Sequence, residues 1–258
     1  MNLLPAKIKE SYTRTFLACI QHFYPVMLEE KKNKIINSKK DGQDVCKYLI
    51  KGQKFMEKLK TKNSIIDCNF TIYSAALFRQ IIGSSYKKID FKASLDISKN
   101  EERIKKAGES GGGASGELFM FTHDNVLILK TATPQETNMF EEIMFEYMEH
   151  LGTHPRSVIG RIYGVFDFTF RESDKSIKLI LMENLFTFNN DSILRKYDLK
   201  GSKHSRRVFK SSKESSKVGK DSKIDKVLKD IDFIDIEKEL GILPDEKNQL
   251  LRSIEEDV

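Results

Sequence analysis

Residues 197–207, YDLKGSKHSRR, concentrate positive charge in a segment with few apolar side chains. The carboxylate of Asp198 is followed at short intervals by four cations, Lys200, Lys203, Arg206 and Arg207. Residues 200–220 contain eight Lys or Arg residues and one acid, Glu214. Such a local patch predicts a polyanionic partner, namely a nucleic acid, a phospholipid headgroup or a nucleotide phosphate. Composition alone is equally compatible with a solvated basic loop.

A second segment with phosphate-binding chemistry lies near the middle of the chain. Residues 108–116 are mostly Gly and Ser, whose backbone N–H groups phosphate oxygens can approach closely. The apolar segments 118–122 and 126–130 flank Asp124-Asn125 and predict a β-hairpin. Lys130 ends the hairpin and would reach the same phosphates, held extended by a carboxylate of the next helix, Glu136, Glu141 or Glu142. This order is typical of kinase-type nucleotide sites, although neither the Walker A nor the protein-kinase glycine pattern is present.

The surrounding pattern predicts the elements that would position these residues. Between Pro134 and Gly152, apolar residues recur at helical spacing. Two further apolar segments, 161–170 and 177–186, predict strands. The order of strand, strand, helix, strand, strand predicts an α+β fold with a mostly antiparallel sheet and one inserted helix. Helices are also predicted at 48–60, at 70–82 and from Pro244 onward.

Composition divides the chain into four parts. Residues 1–60 are predicted to be a basic helical extension that packs on the domain, with a membrane-surface helix as the alternative. Residues 61–209 carry the sheet and the DLKGS segment, and the Lys- and Ser-rich stretch 210–225 predicts a flexible linker. Residues 226–258 are expected to begin a further lobe.

The cysteines and the hydropathy of the sequence indicate the redox compartment and the relation of the protein to membranes. Cys19, Cys46 and Cys68 are odd in number, lie far apart and lack the spacing of a metal site, so we expect reduced cytosolic thiols and no metal. The longest apolar run, residues 16–28, is shorter than the roughly 20 residues of a bilayer span. No small-residue cleavage site follows it. The prediction is a soluble or peripheral protein.

Several motifs, in one order, resemble the phosphatidylinositol phosphate kinases, a lipid kinase family with a distant protein-kinase-like fold. SGELFMFTHDNVLILKT resembles the family's glycine loop, hairpin and lysine strand, and LFRQI the helix before them. HPRSVIGRIYGVF resembles its strand-entry motif and LMENLF its hinge. YDLKGSKHSRR contains its DLKGS signature, and VLKDIDF resembles a later recurring segment. The resemblance extends from about residue 70 to 258.

The resemblance implies ATP-dependent phosphorylation of an inositol hydroxyl of a phosphoinositide. It implies an ATP site built from Lys130, Glu136, the loop residues Gly113, Ser115 and Gly116, and the hinge residues Glu183, Asn184 and Leu185. Asp198 and Lys200 would join Lys130 as catalytic residues. Phosphate or anionic lipid would be met by Lys200, Lys203, Arg206 and Arg207. It further implies magnesium, with ligands outside these residues, and a cytoplasmic location at the surface of the plasma membrane.

Two features of the family pattern are missing from the sequence. The MDYSLL-like catalytic motif and the later IID metal motif do not follow these elements. We therefore expect an incomplete C-terminal lobe, and the alternative function is an inactive pseudokinase or a membrane-binding scaffold that uses the basic segment 200–229. Nucleic-acid binding ranks last, because Phe209 is the only aromatic residue within that segment. A homodimer through the N-terminal helices is left open.

The individual residues also have simpler structural interpretations. Lys130 would then be a solvated lysine at a strand end, and Asp198 with Lys200 would form a local ion pair in a turn. Glu136 would be an acid favoured by the dipole at a helix N-terminus. The sequence leaves these alternatives open.

Overall fold

The described part of the chain forms two compact units. In the computed structural model it comprises residues 6–34, 36, 38–61, 64–84, 88–109, 118–171, 176–186, 193–219, 221–237, 239 and 241–258. The first unit is residues 1–185 with 253–258, and the second is residues 186–252. The predicted glycine loop, residues 113–116, lies outside the described residues.

The first unit contains both helices and strands. In chain order its elements are α1 (Ala6–Glu30), α2 (Lys39–Gly42), β1 (Val45–Ile50), α3 (Gly52–Leu59), β2 (Cys68–Tyr73), α4 (Ala75–Ser84), α5 (Phe91–Ser94), α6 (Ile97–Glu109), β3 (Phe119–Phe121), β4 (Leu127–Ala132), α7 (Pro134–Thr153), β5 (Ile162–Phe170) and β6 (Ser176–Glu183). The second unit contains β7 (Lys196–Asp198), α8 (Ser212–Ser215), β8 (Val227–Lys229) and α9 (Asp230–Ile236). The last helix, α10 (Pro244–Asp257), begins in the second unit, and its final residues belong to the first.

Six strands of the first unit form one antiparallel sheet in the order β1-β2-β5-β6-β4-β3. Residues on β2 alternate between buried and more exposed positions, as expected for a strand with one face on a core. In the register of the sheet, Lys130 lies opposite Phe119 on β3 and Ile180 on β6. The predicted α+β class with an antiparallel sheet and an inserted helix is confirmed.

The predicted hairpin between β3 and β4 is confirmed, and its turn is fixed by the carboxylate of Asp124. This carboxylate accepts hydrogen bonds from the hydroxyls of Thr122, at 2.6 Å, and Ser94, at 2.6 Å. It also accepts one from the backbone N–H of Val126, at 3.1 Å. Asn125 takes a left-handed backbone conformation with φ of 57°, which Asn tolerates better than most residues.

Helix α1 is part of the core of the first unit. Phe16 on α1 is fully buried, and its ring centroid lies 4.8 Å from that of Phe168 on β5. Tyr12, one turn earlier, meets Phe170 edge to face at 4.2 Å. Among the described helices, none has the length and apolar character needed to cross a bilayer.

Two of the predicted helices are wrong at their N-terminal ends. Residues 48–50 belong to strand β1, and helix α3 begins only at Gly52. Likewise residues 70–73 belong to β2, and α4 begins at Ala75. In both places a short strand runs directly into a helix, so apolar residues from two elements mimic the spacing of one helix. Ser74, at φ of 48°, makes the break between β2 and α4.

In the second unit, β7 and β8 form a parallel pair in which Asp198 lies opposite Lys229. The short helix α8 lies within the predicted linker 210–225. Its Ser215 is buried and donates to the carboxylate of Asp235 on α9 at 2.6 Å. The predicted helix from Pro244 is confirmed as α10.

Gly52 lies directly against the backbone of Ile65. A Cβ at this position would lie 2.0 Å from the backbone oxygen of Ile65, whereas one at Gly152 on α7 would meet nothing within 4 Å. We expect Gly52→Ala to lower the free energy of unfolding by about 1–3 kcal/mol, because the backbone of the facing segment must shift. Gly152→Ala, the matched control, should be neutral or slightly stabilising. Urea denaturation measures both, and equal stabilities of the two variants would contradict the packing described.

Candidate functional site

Lys130, the lysine predicted to bind phosphate, forms an ion pair with a carboxylate of α7. Lys130 lies on β4 between two hydrogen-bonded neighbours, and its Nζ donates to Oε1 of Glu136 at 3.2 Å. Both side chains remain partly exposed. The lysine is therefore held by a carboxylate while its ammonium group stays accessible to a further anion.

Glu136 is fixed by the first turn of α7. Its second oxygen, Oε2, accepts from the backbone N–H of Thr133 at 2.7 Å, while the Thr133 hydroxyl accepts from the N–H of Glu136 at 3.1 Å. This reciprocal capping box, together with Pro134 at the helix start, explains why α7 begins here. The Thr133 N–H and the Lys130 ammonium lower the pKa of Glu136, so the carboxylate is ionised at neutral pH.

Glu136 thus combines the two roles that the sequence left as alternatives. One oxygen caps the helix and the other contacts Lys130. Of the other candidate carboxylates, Glu141 lies instead 3.9 Å from the Nζ of Lys178. The geometry therefore selects Glu136 as the carboxylate that holds Lys130.

The ion pair borders an open cavity of about 260 Å³. Besides Lys130 and Glu136, the cavity is lined by apolar side chains of α7, β5 and β6, namely Met139, Phe140, Ile143, Ile162, Ile180 and Met182. An apolar wall with a few charged groups at one side is the usual composition of a small-molecule pocket.

The predicted hinge begins at Glu183, the last residue of β6, and two of its residues donate their backbone N–H groups to the residues that precede β5 and β4. Glu183 N donates to the carbonyl of Arg161 at 2.8 Å, and Asn184 N donates to that of Val126 at 3.0 Å. The side chains of Glu183 and Asn184 are buried, whereas Leu185 is 55% exposed. The hinge is therefore anchored at its first two residues and reaches the surface at the third.

Tyr147 on α7 was not among the predicted site residues. Its hydroxyl donates to the carbonyl of Gly160 at 2.8 Å and accepts from the N–H of Ile162 at 2.8 Å. Burial raises the pKa of Tyr147 to about 12. The phenol holds the start of β5, which lines the cavity, and no local sequence motif announces this contact.

In the second unit, the DLKGS segment begins at Asp198, the last residue of β7. Lys200 Nζ lies 3.7 Å from Oδ2 of Asp198, and the Lys200 side chain is 64% exposed. The local ion pair is therefore present, but it is loose and leaves the ammonium group accessible. Gly201 has φ of +65°, a conformation that favours glycine.

The four cations predicted to meet phosphate or lipid fall into two classes. Lys200 and Lys203 are exposed. Arg206 is buried and donates from Nε to Asp230 at 2.7 Å and from Nη2 to Oδ2 of Asp198 at 3.1 Å. Arg207 donates to Asp235 at 2.7 Å. Both arginines thus have carboxylate partners within their own unit.

Asp230 is a second residue that the sequence did not single out, although it lies within the VLKDIDF segment. It accepts from the guanidinium of Arg206 and from the backbone N–H groups of Lys200 and Gly201. These donors, Arg206 foremost, hold the pKa of Asp230 well below its usual range. The carboxylate is therefore ionised at neutral pH.

The described residues suit a nucleotide better than they suit a metal ion. The Lys130–Glu136 pair and the adjoining cavity fit a nucleotide phosphate and an apolar ring. Within the residues that the structure describes, no three His, Cys, Asp or Glu side chains converge to hold a metal ion. No step is therefore assigned to magnesium.

Comparison with known proteins decides the family. The sequence profile of the phosphatidylinositol-4-phosphate 5-kinases matches residues 98–258, more than half of the chain. The chain belongs to this family.

Among curated members of the phosphatidylinositol-4-phosphate 5-kinase family and its relatives, similarity is moderate and partial. The chain is 31% identical over 145 residues to a probable phosphatidylinositol phosphate kinase of Dictyostelium discoideum, covering 56% of this chain and 19% of that protein. It is 30% identical over 149 residues to the phosphatidylinositol 4-phosphate 5-kinase of Plasmodium falciparum, covering 56% and 8%. The rat type-1 alpha enzyme is 30% identical over 149 residues, covering 57% and 25%. The chain thus matches a quarter or less of each of these relatives.

The double role of Glu136 leads to a stability prediction. Glu136→Gln keeps an oxygen for the Thr133 N–H and removes only the exposed ion pair, so it should cost less than about 1 kcal/mol. Thr133→Ala removes the cap and should cost about 1 kcal/mol. Urea denaturation of the whole chain measures both. A larger loss for Glu136→Gln than for Thr133→Ala would contradict the assignment of the two oxygens.

Proposed function

We propose that this chain carries the nucleotide-binding part of a lipid kinase that transfers the terminal phosphate of ATP to an inositol hydroxyl of a phosphoinositide. The observation that carries the proposal is the Lys130–Glu136 ion pair at the edge of an apolar cavity. Both residues lie inside the stretch that matches the family.

In this proposal Lys130 binds the phosphates of ATP. Phosphoryl transfer depends mainly on positioning and on neutralising negative charge, so an ammonium group at a fixed place is what the reaction requires. Glu136 keeps the lysine extended from β4 through the 3.2 Å contact. The loop residues Gly113, Ser115 and Gly116 would add backbone N–H donors around the same phosphates.

The adenine ring would lie on the apolar wall formed by β5, β6 and α7. Because Glu183 and Asn184 already donate their N–H groups to backbone carbonyls, the N–H of the exposed Leu185 is the hinge donor proposed for adenine. The carbonyl of Glu183 is the proposed acceptor for its amino group.

The lipid side of the reaction is assigned to the second unit. Lys200 and Lys203, both exposed, would meet phosphate groups of the headgroup, and Asp198 would stay beside Lys200. Each Lys or Arg near an anionic membrane contributes about 1 kcal/mol, so two lysines give only reversible attachment. Arg206 and Arg207 are assigned to holding the segment rather than to binding lipid, because carboxylates already pair with them.

The location at the cytoplasmic face of the plasma membrane stays a prediction. So does a homodimer through the N-terminal helices, although Phe16 and Tyr24 of α1 are buried within their own unit. A membrane-binding protein without kinase activity is the alternative that the following experiment separates.

The proposal is tested by nucleotide binding. We expect the whole chain to bind ATP, and Lys130→Ala to raise the dissociation constant at least tenfold, a loss of about 1.4 kcal/mol. Lys47→Ala, on the exposed side of β1, is the matched control and should bind like the wild type. Equilibrium titration with a fluorescent ATP analogue measures all three.

The companion assay follows phosphate transfer from ATP to vesicles that contain phosphatidylinositol 4-phosphate, using the protein at its native length. Lys130→Ala should lower kcat/KM at least a hundredfold. Vesicle binding without ATP binding in the wild type would overturn the kinase proposal and favour the membrane-binding alternative.

A further inference from the structure

The position of Asp230 follows from the parallel pairing of β7 and β8. Asp198, the last residue of β7, lies opposite Lys229, the last residue of β8. Parallel strands end at the same edge, so Asp230 emerges beside the segment that leaves β7. Asp230 is only 8% exposed, and a buried carboxylate must find partners for its charge.

Asp230 finds those partners on the backbone of the DLKGS segment. Its Oδ1 accepts from the N–H of Lys200 at 2.9 Å and from the N–H of Gly201 at 2.8 Å. Hydrogen bonds to an ionised acceptor are roughly twice as strong as neutral ones. One oxygen therefore fixes two consecutive peptide groups at the place where the backbone turns through the positive φ of Gly201.

The other oxygen of Asp230 completes a closed network. Oδ2 accepts from Nε of Arg206 at 2.7 Å, and Nη2 of Arg206 contacts both the carboxylate and the backbone carbonyl of Asp198. The network thus joins the backbone N–H of Lys200 to Asp198 through Asp230 and Arg206. The Lys200 side chain itself stays exposed and only loosely paired.

We propose that Asp230 is a positioning residue that sets the direction of the Lys200 ammonium group toward a phosphate group of the substrate. The inference rests on the proposed function, in which Lys200 meets a phosphate of the lipid headgroup or of ATP. The ammonium group at the end of a flexible lysine side chain occupies fewer positions when the backbone below it is fixed. Asp230 fixes that backbone at Lys200 and at the next residue.

A matched control lies in the same unit. Glu237 accepts from Nε of Arg195 at 2.6 Å and from the hydroxyl of Tyr197 at 2.6 Å. This carboxylate resembles Asp230 in pairing with a guanidinium group and a second donor, yet no contact joins it to Lys200 or Gly201 among the described residues. If only the loss of an ion pair matters, substitutions of Asp230 and Glu237 should change ligand binding to a similar extent. If positioning of Lys200 matters, only the substitution of Asp230 should weaken binding.

The experiment compares Asp230→Ala, Glu237→Ala and Lys200→Ala in the whole chain. Ala is used because Asn would keep an oxygen for the N–H groups of Lys200 and Gly201. Binding is measured to phosphatidylcholine vesicles with and without phosphatidylinositol 4-phosphate and, separately, to ATP. We expect Asp230→Ala and Lys200→Ala each to raise the dissociation constant of the same ligand about five- to tenfold. The ligand that binds more weakly shows whether Lys200 meets a phosphate of the lipid or of ATP. Glu237→Ala should bind both ligands within about twofold of the wild type, although its Tm should change about as much as that of Asp230→Ala.

The double variant Asp230→Ala with Lys200→Ala provides the readout that a purely structural role would not produce. If Asp230 acts through Lys200, the double variant binds no more weakly than Lys200→Ala alone. Additive losses would overturn the inference, as would wild-type binding by Asp230→Ala when Lys200→Ala is weakened. Wild-type binding by Lys200→Ala would instead remove the phosphate role of Lys200 itself, and the inference with it.

Should Asp230→Ala fail to fold, Gly201→Ala tests the same turn from its other side. A Cβ on Gly201 would meet nothing within 4 Å, so the substitution disturbs the positive φ without a steric clash. The same loss of binding, again absent when Lys200 is already Ala, supports the inference, and unchanged binding overturns it.

Discussion

The contact between Lys130 and Glu136 is the interaction on which the account of the first unit depends. It joins the sheet to α7, and several independent features are needed to bring its two atoms to 3.2 Å. The β3–β4 hairpin and the pairing of β4 with β6 set the lysine, and the capping box with Thr133 sets the carboxylate. Because the pair is partly exposed, its contribution to stability is small. Its consequence is a cation of fixed position beside an apolar cavity.

The second unit uses charge in a different way. Its two arginines pair with carboxylates of their own unit, while Lys200 and Lys203 remain exposed. The division follows from chemistry, since a guanidinium offers several donors in a rigid plane and an ammonium group is a compact, strongly hydrated charge. A cluster that looks uniformly basic in the sequence is thus divided into a framework and an accessible surface.

Local chemistry explains which parts could be predicted from the sequence. The turn around Asp124 and the start of α7 at Pro134 were predictable because a few adjacent residues determine each of them. The junctions at Gly52 and Ser74 were not, because short strands pass directly into helices there. Glu136 was one of three candidates until the fold brought it to Lys130. Asp230 could not be found, because its partners Lys200 and Gly201 lie about 30 residues earlier and only strand pairing joins them.

The central claim is that Lys130 meets the phosphates of ATP, and chemical labelling tests it most directly. An acyl-phosphate derivative of ATP transfers its acyl group to a lysine amine beside the bound phosphates, forming an amide and releasing ATP. Peptide mass spectrometry of the labelled chain then locates the amide. The account predicts that Lys130 is labelled ahead of the exposed lysines and that excess ATP abolishes this labelling. Labelling spread over surface lysines and insensitive to ATP would contradict it.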